Sequence, residues 1–271
     1  MSESPEQQQP GTEEPRGQVI SLEGISRKYL GALQRRHDIL AYEVASLPAV
    51  DAEKYEYFAR LARIMPVQQI HMDHASAQRQ VRGKLTVQAL NDLLGLAAGC
   101  LDETHFLLTL IANKAAVESG SEDANRKVQE TQEAFARAAL QDKFDLLEKN
   151  FGIMCELEDG IISLAFGLRI MMGRGAVVSP EDLGDDGELA FEFKSVQQIN
   201  PPKGAPEGAK PELRLADTRR SFRAGDTIEF SNSEIMGLTV TLASFFHSLF
   251  RSVDDFGRRT LGQGAQAPAA E

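Results

Sequence analysis

A chain of 271 residues, 42% hydrophobic and 25% charged, can bury a sizeable core and is ordinary in composition for a globular protein. Its formal net charge of -11 repels phosphate backbones at long range, which disfavours nucleic-acid binding by bulk charge. The two cysteines, Cys100 and Cys155, have no close Cys or His in sequence, so they read as small core residues of a reducing compartment and not as a metal or disulfide framework.

Residues 1–17, rich in Glu, Gln and Pro, cannot build a core and read as disordered, as does the tail 262–271. The start MSESPEQQQPGTEEPRG has neither a basic region nor an apolar run, so it does not read as a signal peptide. No apolar run is read as reaching the roughly 18 residues of a membrane span. The expectation is a cytoplasmic protein with no membrane partner.

The segment 18–185 reads as a helical body. Leu22, Ile25, Tyr29, Leu33, Leu40 and Val44 recur mostly at three- or four-residue steps, predicting a helix from Ser21 to Ser46 that Pro48 ends. Asp51 opens a second helix, which Pro66 kinks or stops. The pattern resumes through Leu85, Leu90, Leu93 and Ala97, with a break allowed at Gly99 and a new helix marked by Phe106, Leu107, Leu110 and Ile111. One long helix is expected from about Glu122 to Asn150. After the turn FGIM, the segment ELEDGIISLAFGLRIMMGR is apolar almost all round and predicts a central, buried helix. SPEDLG reads as a single capped turn, with Ser179 as cap and Pro180 in the first helical position.

Within 186–230 the period changes to two. ELAFEFKSV, ELRLA and GDTIEF read as short strands of a small antiparallel element, with NPPKGAPEGAKP as a loop. The closing helix, 231–261, starts at a capping box, Ser231 and Glu234, and carries one apolar stripe from Ile235 to Phe256. That stripe is expected to dock on the body in preference to a second subunit. The fold class is mainly α, an antiparallel helical bundle with a small β element before the last helix.

The stretch LRIMMGRGAVVSPEDL carries two obligate cations, Arg169 and Arg174, in an otherwise apolar helix end. From about Leu140 to Thr260, the order of parts resembles the HEPN superfamily of compact helical proteins. Several bacterial families of that group carry arginine–asparagine–three residues–histidine before a Gly-rich turn. Here Arg169 matches the arginine, Ile170 stands in the place of asparagine, Arg174 stands where histidine belongs, and GAVVS matches the turn. The resemblance implies a metal-independent ribonuclease ancestry, with histidine handling the proton of the 2′-hydroxyl and arginine steadying the phosphate, and a homodimer with its site at the two-fold interface. Imidazole can exchange a proton near neutrality, whereas guanidinium stays protonated and offers a planar fork to phosphate oxygens. A chain with arginine in the place of histidine therefore lacks the usual base.

Three readings stay open. The first is a non-catalytic HEPN-like protein that binds RNA or nucleotide phosphate, or a protein partner, through Arg169 and Arg174, in a bacterial defence or toxin–antitoxin-type setting implied by the family. The second is a scaffold in which Arg169 pairs with Glu156, Glu158 or Asp159 and Arg174 caps a helix end. The third is a ribonuclease using His105 or His247 as base. No cofactor is expected. His71, Asp73 and His74 could share a helix face and hold a divalent metal with a further ligand, although surface histidines are the plainer reading. His37, in RRHD, reads as part of a solvated face. The run from Lys203 to Arg223, with Lys210, Arg214, Arg219 and Arg220, is locally basic and reads as a solvated hairpin or an RNA contact.

Overall fold

A computed structural model describes residues 20–61, 72–199 and 211–263. Residues 1–19 and 264–271, Pro66, His71, Lys203 and Lys210 lie outside the described residues, while Gly262 and Gln263, expected in the tail, belong to the last helix. Among the described residues the chain is mainly helical, with one two-stranded antiparallel sheet before the last helix.

Helix α1, Leu22–Ser46, starts where Ser21 Oγ accepts from Gly24 N at 3.1 Å, and the turn Leu47–Ala49 that contains Pro48 ends it. Helix α2, Ala52–Leu61, is capped by the Asp51 carboxylate, which accepts from Glu53 N and Lys54 N. Helix α3, His74–Ala112, runs unbroken for 39 residues, so the break expected at Gly99 does not occur. Ala97, Cys100 and Leu101 around it are fully buried, and that burial outweighs the roughly 1 kcal/mol cost of a helical glycine. α3 is also long and apolar enough to cross a membrane by length and composition, contrary to the sequence reading. Here it is the central helix, packed by α1 and by the later helices.

The helix expected over 122–150 is two helices. After the short α4, Lys114–Glu118, come α5, Glu122–Arg137, and α6, Leu140–Phe151, with Ala138 and Ala139 extended between them. Lys143 explains the break. It is 4% exposed, and its Nζ donates to Phe135 O at 2.9 Å, Ala136 O at 3.2 Å and the Asp102 carboxylate. One buried ammonium thus satisfies the terminal carbonyls of α5 and ties them to α3, which a continuous helix would not permit.

Helix α7, Glu158–Arg174, is one-sided and not buried all round. Ile161, Leu164, Ile170 and Met171 face the core, while Arg169 and Met172 are exposed. The capped turn after it, Pro180–Asp182, has the expected Ser179 box.

Strands β1, Leu189–Ile199, and β2, Glu212–Phe222, pair from Leu189↔Phe222 to Ile199↔Glu212. GDTIEF does not become a third strand. Its Thr227 makes one bridge to Val177, and Ile228 N donates to Ala176 O at 2.8 Å, so the segment fastens to the exit of α7 and not to the hairpin. Ile228 and Phe230 are buried, which accounts for the alternation seen in sequence.

Helix α8, Asn232–Gln263, begins at the capping box: Ser231 N donates to Glu234 Oε2 at 2.7 Å, and Glu234 N to Ser231 Oγ at 3.3 Å. Its stripe of Ile235, Leu238, Leu242, Phe245, Phe246 and Leu249 is buried within the single chain, against α1, α3 and β1. β1 lies in the crevice between α7 and α8, and glycines let it in. A Cβ on Gly237 would sit 2.3 Å from Lys194 O, and one on Gly167 2.5 Å from the Phe191 ring.

Candidate ligand-binding groove

Arg169 and Arg174 lie about 140° apart around α7 at the helical 100° per residue, so they address different surroundings. Arg174 turns back on the chain that follows it. Its Nη1 donates to Glu181 Oε1 at 2.7 Å and to Ser179 Oγ, and its Nη2 to the buried carboxylate of Asp182. Burial alone would push the Asp182 carboxyl up, but hydrogen bonds from Ser179 and Arg174 outweigh it and hold that carboxyl below the usual range. Arg169 is exposed, stacks its guanidinium 4.6 Å over the Phe166 ring, and among the described residues makes no ion pair. Glu156, one of its expected partners, binds Arg251 at 2.8 Å instead.

No hydrogen bond or ring contact joins a described histidine to either arginine. His105 is 1% exposed, stacked on Phe135 at 3.8 Å, with Nδ1 2.9 Å from Gln132 Oε1. Burial lowers its pKa and keeps it neutral. His247 is exposed on α8, and His37 Nδ1 lies 2.8 Å from Thr239 Oγ1. At the metal candidate, Asp73 caps α3, accepting from Ser76 N at 2.9 Å and Ser76 Oγ at 2.7 Å, and His74 tilts against Tyr55. Among the described residues no group of three ligating side chains gathers, and His71 lies outside them. The cysteine thiols are buried, and burial pushes Cys155 up to about 12 and Cys100 higher, so neither is a nucleophile.

Three arginines of the basic run are paired, while Arg214 makes no ion pair among the described residues. Arg219 meets Asp186 at 3.1 Å and Glu192 at 3.9 Å, Arg220 meets Glu234 at 3.5 Å, and Arg223 meets Glu188 at 3.6 Å. Those carboxylates come from segments before and after the run, out of reach of a count made within it.

A further group of cations without an ion pair among the described residues lies on α3. A groove of about 730 Å³ opens between the first half of α3, the exit of α7 and the segment from Thr227 to Phe230. Arg79, Arg82 and Lys84 line its α3 side. Arg79 and Arg82, three apart, share a helix face with Thr86. Arg79 is exposed and among the described residues donates only to Ser76 Oγ, while Arg82 is half-buried. The Arg82 Nε is buried without a hydrogen-bond partner among the described residues. None of these cations forms an ion pair there, and Glu229 is the one carboxylate in the lining among those residues. The opposite wall is apolar: Met171, Met172, Ile228 and Phe230.

That wall is shaped by the Arg174 clamp. Gly175 and Ala176, both in the lining, adopt left-handed backbone at φ 62° and 68°. The strained alanine is held by its carbonyl's bond to Ile228 N and by Arg174 and Asp182 on either side of the turn.

The sequence did carry a signal for the groove. From His74 to Asn91 there is not one carboxylate, in a chain of net charge -11, and QRQVRGK sits inside that stretch. Chemically, the arrangement offers fixed positive charge with no histidine in the lining among the described residues and a single carboxylate, Glu229, which suits binding of an anion. No family model, curated protein or solved structure matches this chain.

Proposed function

We propose that this chain is a non-catalytic, HEPN-like binding protein that holds an anionic group, phosphate or carboxylate, in the groove between α3 and α7. The observation that carries the proposal is the Nε of Arg82, buried without a hydrogen-bond partner among the described residues, beside Arg79 and Lys84, which form no ion pair among those residues. A buried donor left unsatisfied costs about 1–3 kcal/mol, which a turn of the Arg82 guanidinium onto an anion in the groove would relieve. The phosphate role that the sequence gave to Arg169 and Arg174 passes in this proposal to Arg79, Arg82 and Lys84. Arg174 is already neutralised by Asp182 and Glu181, so a ligand would have to displace two carboxylates. A binding role is favoured over ribonuclease chemistry because the candidate base His105 is stacked in the core and the exposed His247 makes no hydrogen bond to Arg169 among the described residues.

The test is a thermal-shift and calorimetric screen with phosphate, nucleotides and carboxylates. At least one anion should raise the melting temperature, and Arg82→Met should weaken its binding about 10- to 100-fold, the equivalent of about 1.5–3 kcal/mol for charged hydrogen bonds. No stabilising anion, or binding untouched by the substitution, would refute the groove. Cleavage of a mixed RNA pool that disappears in Arg169→Ala would refute the non-catalytic reading.

A further inference from the structure

The two walls of the groove differ in kind, and the difference names a ligand class. The α3 wall is cationic and polar, carrying Arg79, Arg82 and Lys84. The facing wall is mainly Met171, Met172 and Ile228, with Thr227 and Glu229 as its hydrogen-bonding side chains among the described residues. Met172 is 66% exposed at the end of α7, where it adds apolar surface to the groove. Methionine is unbranched and adapts its shape to flexible apolar partners. The only aromatic ring in the lining among the described residues, Phe230, is 3% exposed, so it gives no platform for stacking a base. Glu229, exposed at the same groove, opposes a ligand with several negative charges.

We infer that the groove takes a free, single-chain amphiphile, one carboxylate head at Arg79 and Arg82 and an aliphatic chain along Met171, Met172 and Ile228. This rests on the anion-binding reading above and narrows it. The volume of about 730 Å³ lies in the range of small-molecule sites. The net charge of -11 disfavours capture of the same head from an anionic bilayer surface, which is why the free amphiphile is the occupant.

The experiment titrates the full chain with acetate, octanoate, decanoate and dodecanoate below their micelle concentrations, with dodecanol and ATP as comparators. Affinity should rise about three- to fourfold for each methylene that enters the groove. Dodecanol should bind at least tenfold more weakly than dodecanoate. Met172→Glu, at an exposed position that folding does not depend on, should weaken dodecanoate more than tenfold, and so should Arg82→Met. If ATP binds in an Arg82-dependent way and the carboxylates show no chain-length dependence, the amphiphile is wrong and the anion groove stands. Failure of every anion to bind removes both. Chain-length dependence that survives both substitutions is surfactant adsorption and also overturns the inference.

Discussion

Arg174 binds Asp182, eight residues further on, and closes the turn that leaves α7. The cation expected at the end of α7 as a phosphate ligand is therefore a clamp on the groove wall. Truncating Arg174 to Met leaves the buried Asp182 carboxylate with only Ser179, and the expected loss is about 1–2 kcal/mol, discounted because the guanidinium is 38% exposed. The Asp182 carboxyl is held below its unfolded value, so its contribution is complete above the ordinary carboxylate range and is lost as pH falls through the folded value. Urea denaturation from pH 6 to pH 2.5 checks this: Asp182→Asn should flatten part of the acid-side decline. An unchanged slope would show that the clamp carries no pH-dependent stability.

Lys143 should be the costliest single cation to remove. It joins α5, α6 and α3 through a carboxylate and two carbonyls, all beside a core that lets in little water. Lys143→Met leaves the Asp102 carboxylate half-buried without its partner, and about 3 kcal/mol should be lost in equilibrium unfolding. The ammonium also lies 4.8 Å from the Phe135 ring centroid, so near-ultraviolet circular dichroism should change with it.

The crevice that holds β1 predicts a contrast between glycines. Gly237→Ala drives a methyl to within 2.3 Å of the Lys194 carbonyl, where the backbone has to move, and a loss of about 3 kcal/mol or failure to fold is expected. Gly173→Ala, in the same kind of helix with nothing within 4 Å, should instead stabilise by up to about 1 kcal/mol. Melting temperatures of the two variants should move in opposite directions.

His105 is kept neutral by burial, so the unfolded chain binds its proton more readily than the folded one. Stability from this group is complete above the unfolded imidazole value of about 6.5 and declines as pH falls below it towards the lowered folded value. His105→Phe keeps a ring against Phe135 and should abolish that part of the slope between pH 7 and pH 5, while an imidazole titrating normally by NMR would contradict the burial.

Much of the fold was legible in the residues. Ser21, Ser231 with Glu234, and Ser179 with Pro180 mark their turns as expected, because capping is local chemistry. The 138–139 break was not legible, since Lys143 makes it by reaching Asp102, 41 residues away. The Gly99 break was over-read, because only the fold shows that both sides of that turn are buried. The candidate site was legible in part. The exit of α7 does border the groove, through Met171, Met172, Gly175 and Ala176, but its arginines do not line it. The cations that do were overlooked on α3, because no single residue of QRQVRGK is unusual until α7 and Phe230 face it across the cavity.

The most direct test of the central claim is the Nε–H resonance of Arg82, observed in nitrogen-edited NMR spectra while an anion that stabilises the protein is added. The Arg82 signal is predicted to shift and to gain protection from exchange at saturating anion, with the Arg169 and Arg174 signals left in place. An Arg82 signal that stays put while Arg169 or Arg174 responds would contradict the account and return the anion to the end of α7.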